Sequence, residues 1–175
     1  FEKEGDMPRL QIVRLPNDHT SGTTTNKITP TAAVADNDLA LGMVVEAVSH
    51  SKFWSQTAIF VVEDDAQNGP DHVDAHRSTA YIAGGYVKEG YVDHTAYTTS
   101  SLIRTIELIL GLPPMTQYDA SAVPLWRSMN NNAGHPPFVQ KPCLLNLDDK
   151  NTIKSIWQQN SEHFDFTAED RVIDD

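Results

Sequence analysis

The sequence has few cysteines, few basic residues and no long apolar run. Cys143 is the one cysteine among 175 residues, so the chain can form neither an internal disulfide nor a cysteine-based zinc site. Thirteen basic residues against 24 acidic ones give a net charge of -11, which makes a nucleic acid a poor partner. The longest strongly apolar stretch is about AIFVV, far shorter than the roughly 20 residues of a membrane-spanning helix, so no transmembrane segment is expected. The start, FEKEGDMPRL, lacks the basic and apolar regions of a signal peptide.

The length and the apolar content are sufficient for one globular domain with its own core. Strands are predicted at LQIVRL (10–15), TAIFVV (57–62) and STAYIAGGYV (78–87). TAIFVV is continuously apolar rather than alternating, which is typical of a strand covered on both faces in a parallel sheet.

Apolar residues at spacings of three and four predict helices in other parts of the chain. One helix is predicted over residues 34–54, with Asp36 or Asn37 as its cap. The clearest helix covers residues 98–114, beginning at Thr and Ser hydroxyls and ending at Gly111 and two prolines. Shorter helices are predicted near residues 123–129 and 148–158. The apolar face of the clearest helix is expected to contain Leu102, Ile103, Ile106, Ile109 and Leu110. The three tryptophans, Trp54, Trp126 and Trp157, are expected to pack in the core or in a subdomain. Strands alternating with helices indicate an α/β protein.

Acidic and imidazole side chains are concentrated directly after TAIFVV, in EDDAQNGPDHVDAHR. In α/β sheets, ligands bind beyond the carboxyl ends of the strands, which is where Asp64 and Asp65 fall. Adjacent carboxylates repel each other unless a cation neutralises them, and carboxylate oxygens with the imidazoles of His72 and His76 suit Zn, Mn, Fe or Ca. The pattern therefore predicts a metal site, with a solvated turn as the alternative.

A second candidate loop, LPNDHTSG (15–22), also follows a predicted strand. His19 could be a ligand and Asp18 the carboxylate that orients it, although an Asx-turn with a surface histidine would look the same. In a parallel sheet both loops would open at one edge. The other histidines, His50, His94, His135 and His163, are predicted to be surface residues.

Several familiar motifs are missing. Neither register of the acidic loop fits the EF-hand spacing, and no HExxH pattern occurs. Thr20, Ser21 and Thr23 lie beside His19, but no GxSxG nucleophile elbow accompanies them.

Residues from LPNDHTSG through EDDAQNGPDHVDAHR to LGLPPMTQYDA, together with the tail DFTAEDR, resemble the bacterial phosphoesterase family of the alkaline phosphatase superfamily. That family includes phosphate-monoester and phospholipase C-type enzymes. The resemblance covers almost the whole chain, and EDDAQNGPDHVDAHR is its most specific part. It implies a three-layer α/β/α sandwich with a mostly parallel sheet and a divalent metal at the carboxyl edge.

Within that resemblance, Asp64, Asp65 and His76 match metal ligands, and His19 matches a further ligand by its location. His72 and Asp18 would support the ligands or contact substrate. Leu15 stands where the superfamily often has an aspartate, which counts against the fullest two-metal site.

The resemblance also places the Thr or Ser nucleophile upstream of Phe1, so residues 1–175 are expected to be the C-terminal portion of one catalytic domain. The expected function is metal-dependent hydrolysis of a small phosphate ester or a phospholipid head group, in a periplasmic or secreted protein. The alternatives are a catalytically inactive fragment or metal-binding module, and a structural Ca site in an adhesion-type module.

Overall fold

The computed structural model describes residues 1–17, 19–63, 78–161 and 163. The chain divides into two compact units, one formed by Phe1–Val13 with Gly42–Gln140 and the other by Arg14–Leu41 with Lys141–Asp175. We call them unit 1 and unit 2. The helices are α1 (Pro30–Ser49), α2 (Thr99–Leu110), α3 (Gln117–Ser121) and α4 (Ile156–Ser161), the strands are β1 (Ala58–Val62) and β2 (Ala80–Gly84), and single 3₁₀ turns occupy Trp54–Gln56 and Trp126–Ser128.

The two strands of unit 1 form an antiparallel ladder that runs from Ala58 opposite Gly84 to Val62 opposite Ala80. Both strands were predicted, but the side chains of β1 are half-buried to exposed rather than covered on both faces. Among the described residues these two strands are the whole sheet. The three-layer sandwich with a mostly parallel sheet thus stays a prediction that the described part neither contains nor tests.

Gly84, opposite Ala58 at the end of the ladder, packs directly against the backbone of Thr57 and must be glycine. Its φ is +153°, and a Cβ there would lie 2.4 Å from the backbone oxygen of Thr57. Only glycine fits such a close backbone approach without displacement.

The ends of α2 agree with the sequence prediction. The backbone N–H of Thr98 donates to Ser101 Oγ at 3.2 Å, and Gly111 closes the helix in the left-handed conformation with a φ of 71°. The predicted apolar face is wrong in part. The helix buries Leu102 together with the polar residues Ser101, Thr105 and Glu107, whereas Ile103 and Ile109 are exposed.

The buried polar side chains of α2 are matched by local partners. Thr105 Oγ donates to the Ser101 carbonyl at 2.7 Å and accepts from the backbone N–H of Leu125 at 2.9 Å. Glu107 pairs with Arg104 at 3.2 Å and accepts from the backbone of Met115. The segment after α2 therefore packs on a polar face, because its backbone supplies the hydrogen bonds that this face needs.

In unit 2, α1 begins earlier than predicted. Thr29 Oγ accepts from the N–H of Ala32 at 3.2 Å and Pro30 is the first helical residue, both common at helix starts. Asp36 and Asn37 are inside the helix rather than capping it. Asp36 Oδ2 accepts from Asn17 Nδ2 at 2.5 Å, and Asn37 Nδ2 donates to the Pro16 carbonyl at 2.8 Å.

The predicted strand at residues 10–15 does not form. That segment has no regular secondary structure, and Ile12 is almost fully exposed. An alternating pattern becomes a strand only with a partner to complete its hydrogen bonds, and no partner strand occurs in the described ranges. Of the helix predicted at 123–129 only the 3₁₀ turn Trp126–Ser128 forms, and the helix predicted at 148–158 overlaps α4 only at residues 156–158.

Candidate functional site

Most of the predicted metal site lies outside the described residues. Asp64, Asp65, His72 and His76 fall within residues 64–77, and Asp18 is likewise outside them. His19 is described, is exposed and belongs to unit 2. Within the ranges that the structure describes, no group of three or more His, Cys, Asp or Glu side chains is placed to hold a metal ion.

The two described residues that flank the acidic segment are joined to each other. Glu63 follows β1, and its backbone N–H donates to the Thr79 carbonyl at 3.1 Å. Ser78 Oγ donates to the Glu63 carbonyl at 2.8 Å. The segment thus leaves β1 and returns to β2 at one end of the hairpin, with its entry and exit held by hydrogen bonds.

The loop that carries His19 is anchored on both sides. Pro16 and Asn17 are bonded to α1 as described above, and Gly22 donates its N–H to Thr20 Oγ at 3.3 Å. Thr23 Oγ lies 3.0 Å from Ser155 Oγ, in a hydroxyl pair. This contact holds two parts of unit 2 together.

The remaining histidines divide into two kinds. His50, His94 and His163 are exposed, as predicted. His135 is not a simple surface residue. Its side chain is 24% exposed, its Nδ1 lies 3.6 Å from a carboxylate oxygen of Glu89, and its Nε2 is buried without a hydrogen-bond partner.

The most perturbed carboxylates in the described ranges support structure. Thr116 donates its hydroxyl and its N–H to Asp119, and the backbone of Met115 adds a bond at 2.6 Å. The Thr116 hydroxyl is the main cause of the low pKa of Asp119, which falls well below the usual range although burial opposes the shift. This carboxylate caps α3 and is fully occupied by that role.

Asp93 plays a similar part beside the turn Trp126–Ser128. It accepts hydrogen bonds from Thr95, Tyr97 and Ser128, each at 3.0 Å. Burial raises the pKa of Asp93, but these bonds outweigh it and lower the pKa from 3.8 to about 2. Asp93 is therefore an ionised clamp on residues 95–97 and 128.

A cleft of about 600 Å³ in unit 1 was not foreseen from the sequence. Its walls are formed by residues 56–58, by Tyr86, by the α2 side chains Thr105, Leu108 and Ile109, and by Pro124, Trp126, Met129 and Asn130. Trp126, expected to pack in the core or in a subdomain, is 62% exposed and lines this cleft. The cleft could have been suspected from the sequence, because α2 has more apolar residues than one buried helix face can contain.

Comparison with protein-family models, with curated proteins and with solved structures found no match to this chain. Among the described residues, no helix combines the length and the apolar character needed to cross a bilayer.

Proposed function

We propose that this protein takes part in the metal-dependent hydrolysis of phosphate esters, with Asp64, Asp65, His76 and His19 as metal ligands. The observation that carries the proposal is the sequence EDDAQNGPDHVDAHR between two paired strands, with its two ends hydrogen-bonded at Glu63 and at residues 78–79. The family resemblance of that sequence supplies the reaction class.

The hairpin closure supports the proposal through chain connectivity. Asp64 and Asp65 directly follow Glu63, and His76 precedes Ser78 by two residues. A closed entry and exit reduces the conformational freedom that these donors would lose on binding one ion. Two carboxylates with an imidazole are a donor set that suits borderline and hard divalent cations.

When bound, a divalent cation in such a site supplies Lewis-acid stabilisation of a phosphoryl oxygen. Asp64 and Asp65 would offset its charge, and His76 with His19 would complete the donor set. Asp18, adjacent to His19, would accept the second ring N–H and fix the tautomer. His72 would contact the bound phosphoryl group.

The wider arrangement belongs to the same proposal. A three-layer α/β/α sandwich would contain residues 1–175 as its C-terminal portion, with the nucleophile on a preceding segment. A small phosphorylated substrate or a phospholipid head group, and a periplasmic or secreted location, follow from the family resemblance.

Metal binding tests the ligand assignment directly. We expect chelator-treated protein to bind Zn²⁺, Mn²⁺ or Ca²⁺ in calorimetry, and Asp64→Asn to lower the affinity by more than about tenfold. Changing a residue that merely orients a ligand already costs about 10–100-fold. Asp74→Asn, the same change at another aspartate in this segment, is the matched control and should bind as the wild type does. Equal metal affinity in the Asp64 and Asp74 variants would show that Asp64 is not a ligand.

The reaction itself is measured with p-nitrophenyl phosphate and bis-p-nitrophenyl phosphate, with and without metal, on this chain and on a chain extended before Phe1. Metal-dependent release of nitrophenol that Asp64→Asn abolishes supports the hydrolase. Metal binding without turnover in either chain favours the metal-binding module, and calcium binding with no phosphate affinity favours the structural site.

A further inference from the structure

The cleft of unit 1 is lined mainly by apolar side chains, two of which, Leu108 and Ile109, belong to α2. Leu108 and Ile109 of α2 are half exposed, whereas Thr105, one turn earlier on the same face, is buried and also lines the cleft. Trp126 and Tyr86 stand beside them, also exposed. A pocket of a few hundred Å³ with an apolar lining and a few polar groups has the size and character of a small-molecule site.

Two cations lie beside this cleft. The Lys88 ammonium donates to the Arg127 carbonyl at 2.6 Å, and the Arg127 guanidinium lies 5.2 Å from the ring of Trp126. Lys88 also lies 4.8 Å from the ring of Tyr91. We call Lys88 and Arg127 the basic pair. The chain has thirteen basic residues and a net charge of -11, and the basic pair brings two of these cations next to residues that line the cleft.

The backbone places the basic pair next to residues that line the cleft. Residues 86–88 pair with residues 128–130, through Lys88 N–H to the Ser128 carbonyl at 2.9 Å and Asn130 N–H to the Tyr86 carbonyl at 2.8 Å. Between them Val87 is buried, whereas Tyr86 and Lys88 are exposed. Since alternate residues of an extended segment share a face, Lys88 lies on the side of the cleft-lining Tyr86.

The nearby acids leave the basic pair available. Asp93 accepts from Ser128, Thr95 and Tyr97, and Glu89 lies 3.6 Å from His135. Among the ion pairs of the described ranges, neither Lys88 nor Arg127 is joined to a carboxylate.

We propose that this cleft binds an anionic amphiphile, with the apolar chain against Leu108, Ile109 and Trp126 and the anionic head at the basic pair. The proposal concerns other residues than those of the proposed metal site. Residues 56–58 line the cleft at the start of β1, whereas the acidic segment follows the other end of that strand in the sequence.

A series of monomeric fatty acids tests the apolar wall. By calorimetry, affinity rises from octanoate through decanoate to dodecanoate, by at most about fourfold for each added CH₂. Leu108→Asp weakens decanoate binding by at least about tenfold. Leu112→Asp is the matched control, because Leu112 is equally exposed, at 50%, but does not line the cleft. Equal affinity in both variants, or no saturable binding by the wild type, overturns the site.

Head-group preference tests the basic pair. We expect decanoate to bind more tightly than decanol or decylamine. The net charge of -11 alone would favour the cationic decylamine, so a preference for the anion would point to the basic pair. Lys88→Gln lowers decanoate affinity about three- to fivefold, as for an exposed charge pair. Lys52→Gln is the control, since Lys52 also lies over an aromatic ring, at 5.3 Å from Phe53, but away from the cleft. Equal binding of the three head groups overturns the anionic assignment, and binding of an apolar peptide in place of decanoate assigns the cleft to a protein partner instead.

Discussion

The hydroxyl of Thr105 connects α2 to the segment that presents Trp126, and its removal makes a sharp prediction. Thr105 and Leu125 are each 5% exposed, and the N–H of Leu125 donates to Thr105 Oγ at 2.9 Å. Valine has nearly the same shape as threonine but cannot accept this bond. Thr105→Val therefore leaves a buried N–H without an acceptor, which costs about 1–3 kcal/mol.

Serine at the same position keeps the acceptor and loses one methyl group. The expected cost of Thr105→Ser is about 0.8 kcal/mol, the transfer free energy of one buried CH₂. The stability order should then be Thr above Ser above Val, whereas side-chain hydrophobicity alone would place Val first, Thr second and Ser last at a buried position. The loss of the bond to the Ser101 carbonyl adds little, because that carbonyl also accepts within the helix.

Urea unfolding followed by tryptophan fluorescence and by circular dichroism gives the order of stability. Hydrogen exchange at the amide of Leu125 gives the local effect, which should be lost protection in Thr105→Val and retained protection in Thr105→Ser. A valine variant as stable as the serine variant, with a protected Leu125 amide, would refute the reasoning.

Two further predictions concern backbone space and pH. Gly84→Ala should lower the free energy of unfolding by about 2–4 kcal/mol, because alanine would be strained at this φ and its Cβ would displace the backbone of Thr57. Gly134→Ala is the control and should be near neutral in the same urea titration, because a Cβ at Gly134 would have nothing within 4 Å. Because the folded pKa of Asp93 is depressed to about 2, its contribution to stability is complete above the unfolded pKa of about 3.8 and is lost as the pH falls toward 2. Asp93→Asn should therefore be less stable than the wild type at pH 6, and the difference should shrink between pH 4 and pH 2; a constant difference across that range would contradict the assignment.

Local signals in the sequence predicted the ends of α2 but not its buried face. A hydroxyl before the first turn and a glycine after the last act within a few residues, so Thr98 and Gly111 could be identified from the sequence. The buried face depends on what packs against the helix. Here the partners are backbone N–H groups at Met115 and Leu125, which favour Glu107 and Thr105 over apolar neighbours.

The same distinction explains the strands and the candidate site. TAIFVV and STAYIAGGYV form strands because each supplies the other's hydrogen bonds, while LQIVRL, which was also predicted as a strand, has no such partner in the described ranges. For the acidic segment, the sequence predicts ligand types, and the structure adds that Glu63 is bonded to residues 78 and 79. The ligand set Asp64, Asp65, His76 and His19 stays a prediction.

Because the described residues form only a small apolar core, ligand binding is expected to add noticeably to the free energy of unfolding. The buried apolar side chains there are Ala32, Ala33, Val87, Leu102 and Leu125, and no large side chain is fully buried. A ligand that binds the folded state alone adds about 2.7 kcal/mol at 100 times its dissociation constant. That increment is large beside the 5–15 kcal/mol of an ordinary domain. An ion bound by the segment that connects β1 to β2, or an apolar chain bound against α2, would therefore stabilise elements that bury little surface by themselves. The exposed Leu108 and Trp126 are consistent with a surface that a ligand covers.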